Sequence, residues 1–201
     1  LDALPLDISR FIYISTTGVY GTAEGPWVDE ETEPAPARDG GLAALAAENN
    51  LRSHEISARG IILRLAGIYG PGRVPFLDLL RAGEAIPAPG SGYLNLIHVD
   101  DAALITTLAA DANFSSLPQV FCVSDGQPVV RREYYREVAR LIGSKPPAFI
   151  DAPLDSPRAQ RAASNRRVKN DLVTRELGVQ LRFPSYREGL AEILARFAAS
   201  E

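Results

Sequence analysis

Cysteine, histidine and methionine are scarce in this sequence of 201 residues, which has one cysteine, two histidines and no methionine. The single cysteine, Cys122, excludes an internal disulfide framework and is typical of a reducing compartment, so we expect a cytoplasmic location. Its neighbours, V-F-C-V-S, predict a buried strand thiol. His54 and His98 are far apart in sequence, and because no Cys/His spacing predicts zinc, we expect no metal. A chain that begins L-D-A-L-P and has no methionine is expected to be processed, trimmed or incomplete.

Long apolar runs and an excess of positive charge are also missing. No stretch reaches the roughly 18 apolar residues that a membrane span needs, and the first residues lack the order of a signal peptide. The formal charge of -4 gives no overall positive field to attract nucleic acid or an anionic membrane, so neither partner is expected. The composition, 46% hydrophobic and 23% charged, is that of a globular chain with a real core.

Short apolar runs predict neighbouring strands of a parallel sheet. F-I-Y-I-S (residues 11–15) and I-I-L-R-L (residues 61–65) are rich in β-branched side chains. They are separated by a Pro-, Gly- and acid-rich loop (residues 22–41) and a helix that runs to about Ser57. This order of strand, loop, helix and strand is the unit of a parallel α/β sheet. A third strand is predicted at residues 120–123.

Apolar residues at helical spacing predict the remaining elements. One helix covers residues 76–82, and another opens at Asp100 and Asp101, which suit an N-cap and first turn. A third runs up to Gly143, and a fourth begins near Ser164 or Asn165 and stops at Gly178. The apolar stripe of the third helix consists of Tyr134, Val138, Leu141 and Ile142. A last helix is predicted near the end of the chain, with an apolar stripe of Tyr186, Leu190, Ile193, Leu194 and Phe197.

Two glycine clusters follow the first two strands. The first cluster, T-G-V-Y-G-T-A-E-G, is followed by P-W-V-D-E-E-T-E-P, an acidic segment that neither starts a helix nor favours a phosphate. A dinucleotide-binding turn needs a helix directly after it, so this cluster does not match the dinucleotide-binding fingerprint. In A-G-I-Y-G-P-G-R a helix does follow, although Pro71 lacks one N–H group. This second cluster predicts either a tight turn or a ligand loop at the carboxyl end of a strand.

Four blocks in a fixed order resemble a known family. The blocks are F-I-Y-I-S-T-T-G-V-Y-G, V-D-E-x-x-x-P, I-L-R-L-A-G-I-Y-G-P-G and L-I-H-V-D-D-A-A. In this order they are similar to the second half of the extended short-chain dehydrogenase/reductases, the NAD-dependent epimerase/dehydratase group. The tail N-R-R-V-K-N-D-L-V-T-R-E-L-G and F-P-S-Y-R-E-G-L is similar to an atypical bacterial branch. The resemblance implies an α/β fold, with a partial Rossmann-type, doubly wound parallel sheet and a small, mostly helical C-terminal lobe. The irregular segment from Pro146 to Pro157 predicts the division, with the sheet domain and its substrate-loop insertions in residues 1–145 and the lobe in residues 146–201.

The resemblance also implies site residues. The catalytic hydroxyl of the family aligns with Thr16, and a nearby phenol, Tyr20, is a second catalytic candidate. The implied cofactor-binding residues are Ser15, Thr16, Thr17, Ala66, Gly67, Ile68 and Tyr69, and the implied substrate-binding residues are Arg73, His98, Arg166 and Arg167. Each has a structural alternative: the three hydroxyls can satisfy backbone groups, His98 can form local hydrogen bonds, and the basic run from Arg158 to Lys169 can be a solvated helix face.

Two departures from the family bear on activity. The family's Tyr-x-x-x-Lys pair, in which lysine lowers the pKa of the tyrosine, falls on Gly40 and Ala44, and neither can transfer a proton. The first strand, the G-x-x-G-x-x-G turn and the acidic residue that reads the ribose do not occur in this sequence.

Three interpretations of function follow. The first is an enzyme that binds NAD or NADP and acts on a nucleotide sugar or a related alcohol or carbonyl compound, with this chain as a fragment of it and a homodimer as its possible assembly. The second is a non-enzymatic NAD(P)-binding regulator or scaffold that has lost the Tyr/Lys pair. The third is an inert fragment.

Overall fold

The computed structural model describes residues 1, 5, 7–21, 24–116, 119–150 and 165–198. In chain order, the strands are β1 (Phe11–Thr16), β2 (Glu24–Val28), β3 (Gly60–Leu65), β4 (Gly67–Tyr69), β5 (Ile86–Pro87), β6 (Tyr93–Leu94), β7 (Leu96–His98), β8 (Gln119–Val123), β9 (Val129–Val130), β10 (Phe149–Ile150) and β11 (Asn165–Val168). The helices are α1 (Asp39–Ser53), α2 (Leu77–Ala82), α3 (Val99–Asp111), α4 (Arg131–Leu141), α5 (Asp171–Leu177) and α6 (Tyr186–Ala198).

A three-stranded parallel sheet in the order β1-β3-β8 lies at the centre of the fold. All six residues of β3 are buried, because β1 and β8 flank its edges and residues of α3 and α1 pack on its two faces. Strand β1 lies at an edge, and its Ile14 side chain is 48% exposed. The three strands predicted from apolar runs and the α/β class are therefore confirmed. The carboxyl ends of β1 and β3 lie side by side, because Thr16 pairs with Leu65.

Eight of the eleven described strands were not predicted, and two of them fall where the sequence indicated a loop or a helix. Strand β2 lies inside the predicted loop, and β11 occupies the start of the predicted fourth helix, where it pairs with β2 in parallel. The helix prediction was wrong for residues 165–168, and Ser164 is outside the described residues. Both strands are short, β11 is polar and β2 contains a glycine and a proline, and each pairs with a partner far away in sequence, which local patterns cannot report. The helix itself, α5, begins only at Asp171 and ends at Leu177, with Gly178 as its C-cap, which is the predicted stop.

Helix α1 is shorter than predicted. It ends at Ser53, and a 3₁₀ turn (Glu55–Arg59) follows, in which Nδ1 of His54 accepts a hydrogen bond from the Ile56 backbone. Near its start, Gly41 packs against the turn after β1: a Cβ atom at this position would lie 2.7 Å from the Gly18 carbonyl oxygen.

Two large apolar clusters form most of the core. One lies between the sheet and helices α3 and α5 and includes Ile61, Leu63, Ile105, Phe121 and Val173. The second joins α2, α4 and α6, and it contains Leu80, Tyr134, Val138, Leu190 and Ile193. Burial of each such side chain contributes about 1.5 to 3 kcal/mol. The predicted stripes of α4 and α6 face this second cluster; the side chain of Phe197 is outside the described set.

The start of α3 corrects one expectation. His98, rather than an aspartate, occupies the N-cap, and its Nδ1 accepts a hydrogen bond from the Asp100 backbone. Asp101 lies in the first turn, where its carboxylate accepts hydrogen bonds from the backbone of Arg182 and Phe183. Asp101 thereby attaches the chain before α6 to α3.

Among the described residues, no helix combines the length and the apolar character that a membrane crossing requires. The division between residues 1–145 and 146–201 stays a prediction, and residues 151–157 of the expected connection fall outside the described ranges.

Candidate functional site

A cleft of about 520 Å³ opens at the carboxyl ends of β1 and β3. This is the edge at which open α/β sheets bind ligands, because loops diverge there and leave a crevice. The described residues that line it are Ile14, Ser15, Thr16, Thr17, Gly18, Arg38, Leu65, Ala66, Gly67, Ile68, Tyr69, Arg73, Pro75, Tyr93, Leu94, Asn95, Leu96, Arg131, Tyr134, Tyr135 and Arg166. The seven residues predicted to bind a cofactor are all in this set.

The end of β1 places three hydroxyl side chains at the cleft. Oγ1 of Thr16 accepts a hydrogen bond of 3.0 Å from the Gly18 backbone and so caps the following 3₁₀ turn (Thr17–Tyr20). The oxygen of Thr16 is thus partly used by the backbone, while its hydroxyl hydrogen can still be donated. Thr17 is buried beside it. Thr16 therefore satisfies a backbone group, as the structural alternative predicts, and it also offers a hydrogen-bond donor to the cleft.

Ser15 is held by a buried polar network below the cleft. Its hydroxyl donates a hydrogen bond of 2.5 Å to Oε1 of Glu48, whose carboxylate also accepts from Nε and Nη2 of Arg64. Ser15, Glu48 and Arg64 are 5%, 0% and 1% exposed. This network fixes the end of β1 against α1 and β3, and it leaves the Ser15 hydroxyl engaged away from a ligand.

The network continues to a phenol and a thiol. Nη1 of Arg64 donates to the hydroxyl of Tyr20, which lies 3.0 Å from Sγ of Cys122. Burial and the neighbouring thiol raise the pKa of Tyr20, so the phenol stays protonated. Cys122 is fully buried in β8, as predicted. Tyr20 is not among the described residues that line the cleft.

The segment after β3, which consists of Ala66 and strand β4, forms the second wall. The backbone of Ala66 donates to the Val123 carbonyl, and that of Gly67 donates to the Asn95 carbonyl, so both residues are held in place. The Tyr69 hydroxyl donates to the Ser185 carbonyl at 3.4 Å. Burial, and then the negative charge of Asp125, raise the pKa of Tyr69, which keeps its phenol neutral.

The charged side chains that line the described part of this cleft are all arginines. Arg38, Arg73, Arg131 and Arg166 line it, and its described lining contains no aspartate or glutamate. Arg131 is tied to the wall, because its Nη1 donates to the carbonyls of Pro89 and Ser91.

Arg166 is placed by strand β11. It is 6% exposed, and its Nη1 donates to the Gly21 carbonyl. Asn95 holds the strand here, since its Nδ2 donates to the Arg166 carbonyl and its Oδ1 accepts from the Val168 backbone. Burial, and then the charge of Arg38, lower the pKa of Arg166 to about 10. The guanidinium therefore remains charged at neutral pH.

Two predicted substrate residues lie elsewhere. His98 is 2% exposed and packs edge to face with Tyr69, behind the cleft wall. Arg167 follows the strand alternation of β11 and lies between the rings of Trp27 and Tyr93, at 5.1 and 5.2 Å. Neither is among the described lining residues. Arg158 and Arg161 of the predicted basic run lie outside the described residues.

Gly40 and Ala44, the positions at which the resemblance predicts the family's Tyr/Lys pair, lie on α1. Gly40 is exposed, and a Cβ atom there would meet no atom within 4 Å. Ala44 is 8% exposed and packs in a small cluster with Val19, Tyr20 and Cys122. Neither position carries a side chain that can exchange a proton.

Sequence reasoning missed Arg38, Asn95 and Arg131 as residues of the cleft. Arg38 occupies the N-cap position of α1, and Arg131 opens α4. Their approach to β1 and β3 depends on tertiary packing. The one signal in the sequence for a role other than helix stability is that both arginines stand at helix starts, where a basic residue does not complement the helix dipole.

These observations define a class: an α/β protein with a Rossmann-like parallel sheet and a ligand cleft at its carboxyl edge. Residues 2–123 match the NAD dependent epimerase/dehydratase family, and the chain belongs to that family.

The chain is similar to several known proteins. Protein YeeZ of Escherichia coli is 32% identical over 183 residues, covering 90% of this chain and 61% of YeeZ. UDP-glucose 4-epimerase of Vibrio cholerae is 32% identical over 162 residues, covering 76% of this chain and 49% of the epimerase. The structure of MoeE5 in complex with UDP-glucose and NAD superposes with a TM-score of 0.77 at 27% identity, over 96% of this chain and 66% of MoeE5. The chain thus spans about half to two thirds of the length of these proteins.

The residues present fit one end of a dinucleotide. Thr16 and Thr17 offer hydroxyl groups on one wall of the cleft, and Ala66 with strand β4 forms another, which suits a nicotinamide ribose. The G-x-x-G-x-x-G turn that holds the pyrophosphate in such folds does not occur in the sequence.

Proposed function

We propose that the protein containing this chain binds NAD or NADP and acts on a nucleotide sugar or a related alcohol or carbonyl compound. One observation carries the proposal: the ends of β1 and β3, which the family resemblance predicts to face the cofactor, line a single cleft within the region that matches the family. The names of relatives support the substrate class, since the Vibrio cholerae enzyme is a UDP-glucose epimerase and MoeE5 is complexed with UDP-glucose. The expected cytoplasmic location and the homodimer stay predictions.

In this proposal the chain orients the substrate. NAD or NADP, when bound, supplies hydride transfer. The hydroxyl of Thr16 would donate a hydrogen bond to a substrate oxygen, because its own oxygen already accepts from the Gly18 backbone. The Tyr69 phenol and the apolar side chains of Ile14, Ile68 and Leu96 would enclose the substrate and exclude water.

A second candidate function is a non-enzymatic NAD(P)-binding regulator or scaffold. Gly40 and Ala44 favour it, because they stand where the family has its proton donor and the lysine that tunes it. Tyr20, the nearby phenol, is buried against Arg64 and Cys122 and does not line the described cleft. An enzyme would then depend on Thr16 or on the substrate itself for proton transfer.

Fluorescence titration tests the cofactor part of the proposal. NADH and NADPH are each titrated against the full-length protein and, in parallel, against this chain alone. Saturable binding by the full-length protein supports the proposal, and a screen of nucleotide sugars for oxidation or epimerisation then separates the enzyme from the regulator. A full-length protein that is folded by circular dichroism and binds neither dinucleotide overturns both candidate functions.

A further inference from the structure

A stack of three side chains ends at the cleft. The guanidinium of Arg167 lies between two aromatic rings, 5.1 Å from the centroid of Trp27 and 5.2 Å from that of Tyr93. Trp27 is 44% exposed at the outer end of the stack, and Tyr93 lines the cleft at the inner end. Arg167 therefore covers one face of the Tyr93 ring.

Several contacts hold the Tyr93 ring in this position. Tyr93 pairs with Val130 in the antiparallel pair of β6 and β9. The backbone of β2 packs against the edge of the ring, since a Cβ atom on Gly25 would lie 3.8 Å from Cε2 of Tyr93. Nε of Arg167 donates to the Gly25 carbonyl at 2.8 Å, which fixes the guanidinium behind the ring. A ring that is already held in place loses little conformational entropy when a ligand binds to it.

The cation behind the ring bears on the kind of group that binds in front of it. The face of an aromatic ring carries negative potential, which attracts cations and C–H groups. Because Arg167 already lies over one face of Tyr93, its positive charge reduces the negative potential at the other face. A second cation or the C–H groups of a sugar gain less at that face than a planar ring with its own π electrons. This arrangement favours a nucleobase.

The rest of the cleft is compatible with such a ring. Leu94, the neighbour of Tyr93 in β6, lines the cleft, and Leu96 and Ile68 add further apolar surface. Contact with apolar side chains removes the faces and edges of a bound base from water. The cleft volume of about 520 Å³ lies in the range of pockets that hold small-molecule ligands.

We propose that Tyr93 is a stacking platform for the base of a nucleotide ligand, which binds to the ring face opposite Arg167. The inference rests on the proposed function for the nucleotide character of the ligand, and it adds the residue that binds the base. Every base has a π face, so stacking on an aromatic side chain accepts the base of a nucleotide sugar as well as the adenine of a dinucleotide. Trp27 and Arg167 support the ring and do not contact the base.

Isothermal titration calorimetry of the full-length protein tests the platform with UMP, AMP and ribose 5-phosphate, which carries the phosphate without a base. We expect at least one nucleotide to bind saturably with a stoichiometry of one, and ribose 5-phosphate to bind at least about tenfold more weakly. Tyr93→Leu should weaken nucleotide binding by about the same factor, because it removes the ring. Tyr93→Phe keeps the ring and should bind the nucleotide as the unmodified protein does. Circular dichroism checks the fold of both variants.

The matched control is Tyr13→Leu, the same substitution at a tyrosine of β1 outside the described lining of the cleft, and its nucleotide affinity should equal that of the unmodified protein. Displacement of the nucleotide by NADH assigns the platform to the dinucleotide, and simultaneous binding of NADH assigns it to a nucleotide substrate.

Three results overturn the inference: no saturable binding of either nucleotide, equal affinities for ribose 5-phosphate and the nucleotides, or equal weakening by Tyr93→Leu and Tyr13→Leu. If NADH or NADPH binds while one of these results is found, the proposed function survives without the platform. Nucleotide binding that depends on Tyr93, in a protein that binds neither NADH nor NADPH, would refute the proposed function alone.

Discussion

Glu48 and Arg64 form a salt bridge in the interior of the protein, with 2.6 Å between Oε2 of Glu48 and Nη2 of Arg64 and with both side chains almost fully buried. The carboxylate also accepts the Ser15 hydroxyl, so one acidic group joins α1, β3 and the end of β1.

Neutralising Glu48 should destabilise the fold strongly. In Glu48→Gln the Arg64 charge remains buried without its counter-charge, and we expect a loss of about 3 to 5 kcal/mol in the free energy of unfolding. Urea denaturation followed by circular dichroism measures the change. Glu176→Gln, which removes a carboxylate from an exposed pair with Arg175, should cost less than about 1 kcal/mol. Similar losses in the two variants would contradict the importance of the buried pair.

Adjacent glycines at the start of α1 should respond differently to alanine. A Cβ atom on Gly41 would lie 2.7 Å from the Gly18 carbonyl oxygen and 2.9 Å from Cβ of Pro36, so Gly41→Ala should destabilise the protein by about 1 to 3 kcal/mol. Gly40→Ala meets no atom within 4 Å and should be neutral or stabilising by up to about 1 kcal/mol. Thermal unfolding of the two variants side by side gives the comparison, and equal melting temperatures would refute it.

Asp125 should make stability depend on pH. Burial raises the pKa of its carboxyl group to about 7 in the folded protein, while the unfolded value is near 3.8. The folded state therefore holds a proton that the unfolded state has lost between these values, and the free energy of unfolding falls as pH rises from about 4 to about 7. Above pH 7 the loss is complete, at no more than about 4 kcal/mol from this group.

Asp125→Asn removes this titration. The amide oxygen can still accept the hydrogen bond that Oδ1 receives from the Gln127 backbone, and the variant should be more stable than the unmodified protein at pH 8 but not at pH 4. The negative charges of Asp101 on α3 and Glu188 on α6 contribute to the raised pKa of Asp125, and a control must show that the change in pH dependence is specific to Asp125. Asp111→Asn, at an exposed position, serves this purpose. Parallel pH profiles for all three proteins would disprove the prediction.

Cys122 should be inert in the folded state. Burial raises the pKa of its thiol to about 12, and its side chain is inaccessible in β8. Ellman's reagent should therefore react only as fast as the protein opens. Tyr20→Phe removes the phenol that contacts both Arg64 and Cys122, and a loss of about 1 to 3 kcal/mol should speed the reaction roughly five- to 150-fold. Tyr13→Phe on β1 is the control, and an equal acceleration would argue against the network.

The central sheet could be predicted from the sequence because its strands are continuous apolar runs. Residues 61–65 are buried on both faces, so hydrophobicity alone marks them. The same holds for α6, where Leu190, Ile193 and Leu194 follow helical spacing and fill one cluster. The cleft residues Thr16 and 66–69 were predicted from the family resemblance and from their place at the ends of these strands.

The rest depends on contacts between distant residues. Strand β11 reads N-R-R-V, which has no strand signal of its own and forms only against β2. Arg38 reaches the cleft because Gly41 lets α1 approach the Gly18 turn closely. His98 caps α3 with an imidazole nitrogen, a cap that the preference for aspartate obscured.

The pairing of β2 with β11 also determines when the cleft can exist. Arg166 and Gly21, which it brings together, are 145 residues apart, and contacts of such sequence separation form slowly because a long loop must close first. The part of the cleft that Arg166 lines is thus assembled in a late folding step. Trp27, the single tryptophan, stacks on Arg167 in the same pairing, so its fluorescence should follow that step in refolding kinetics.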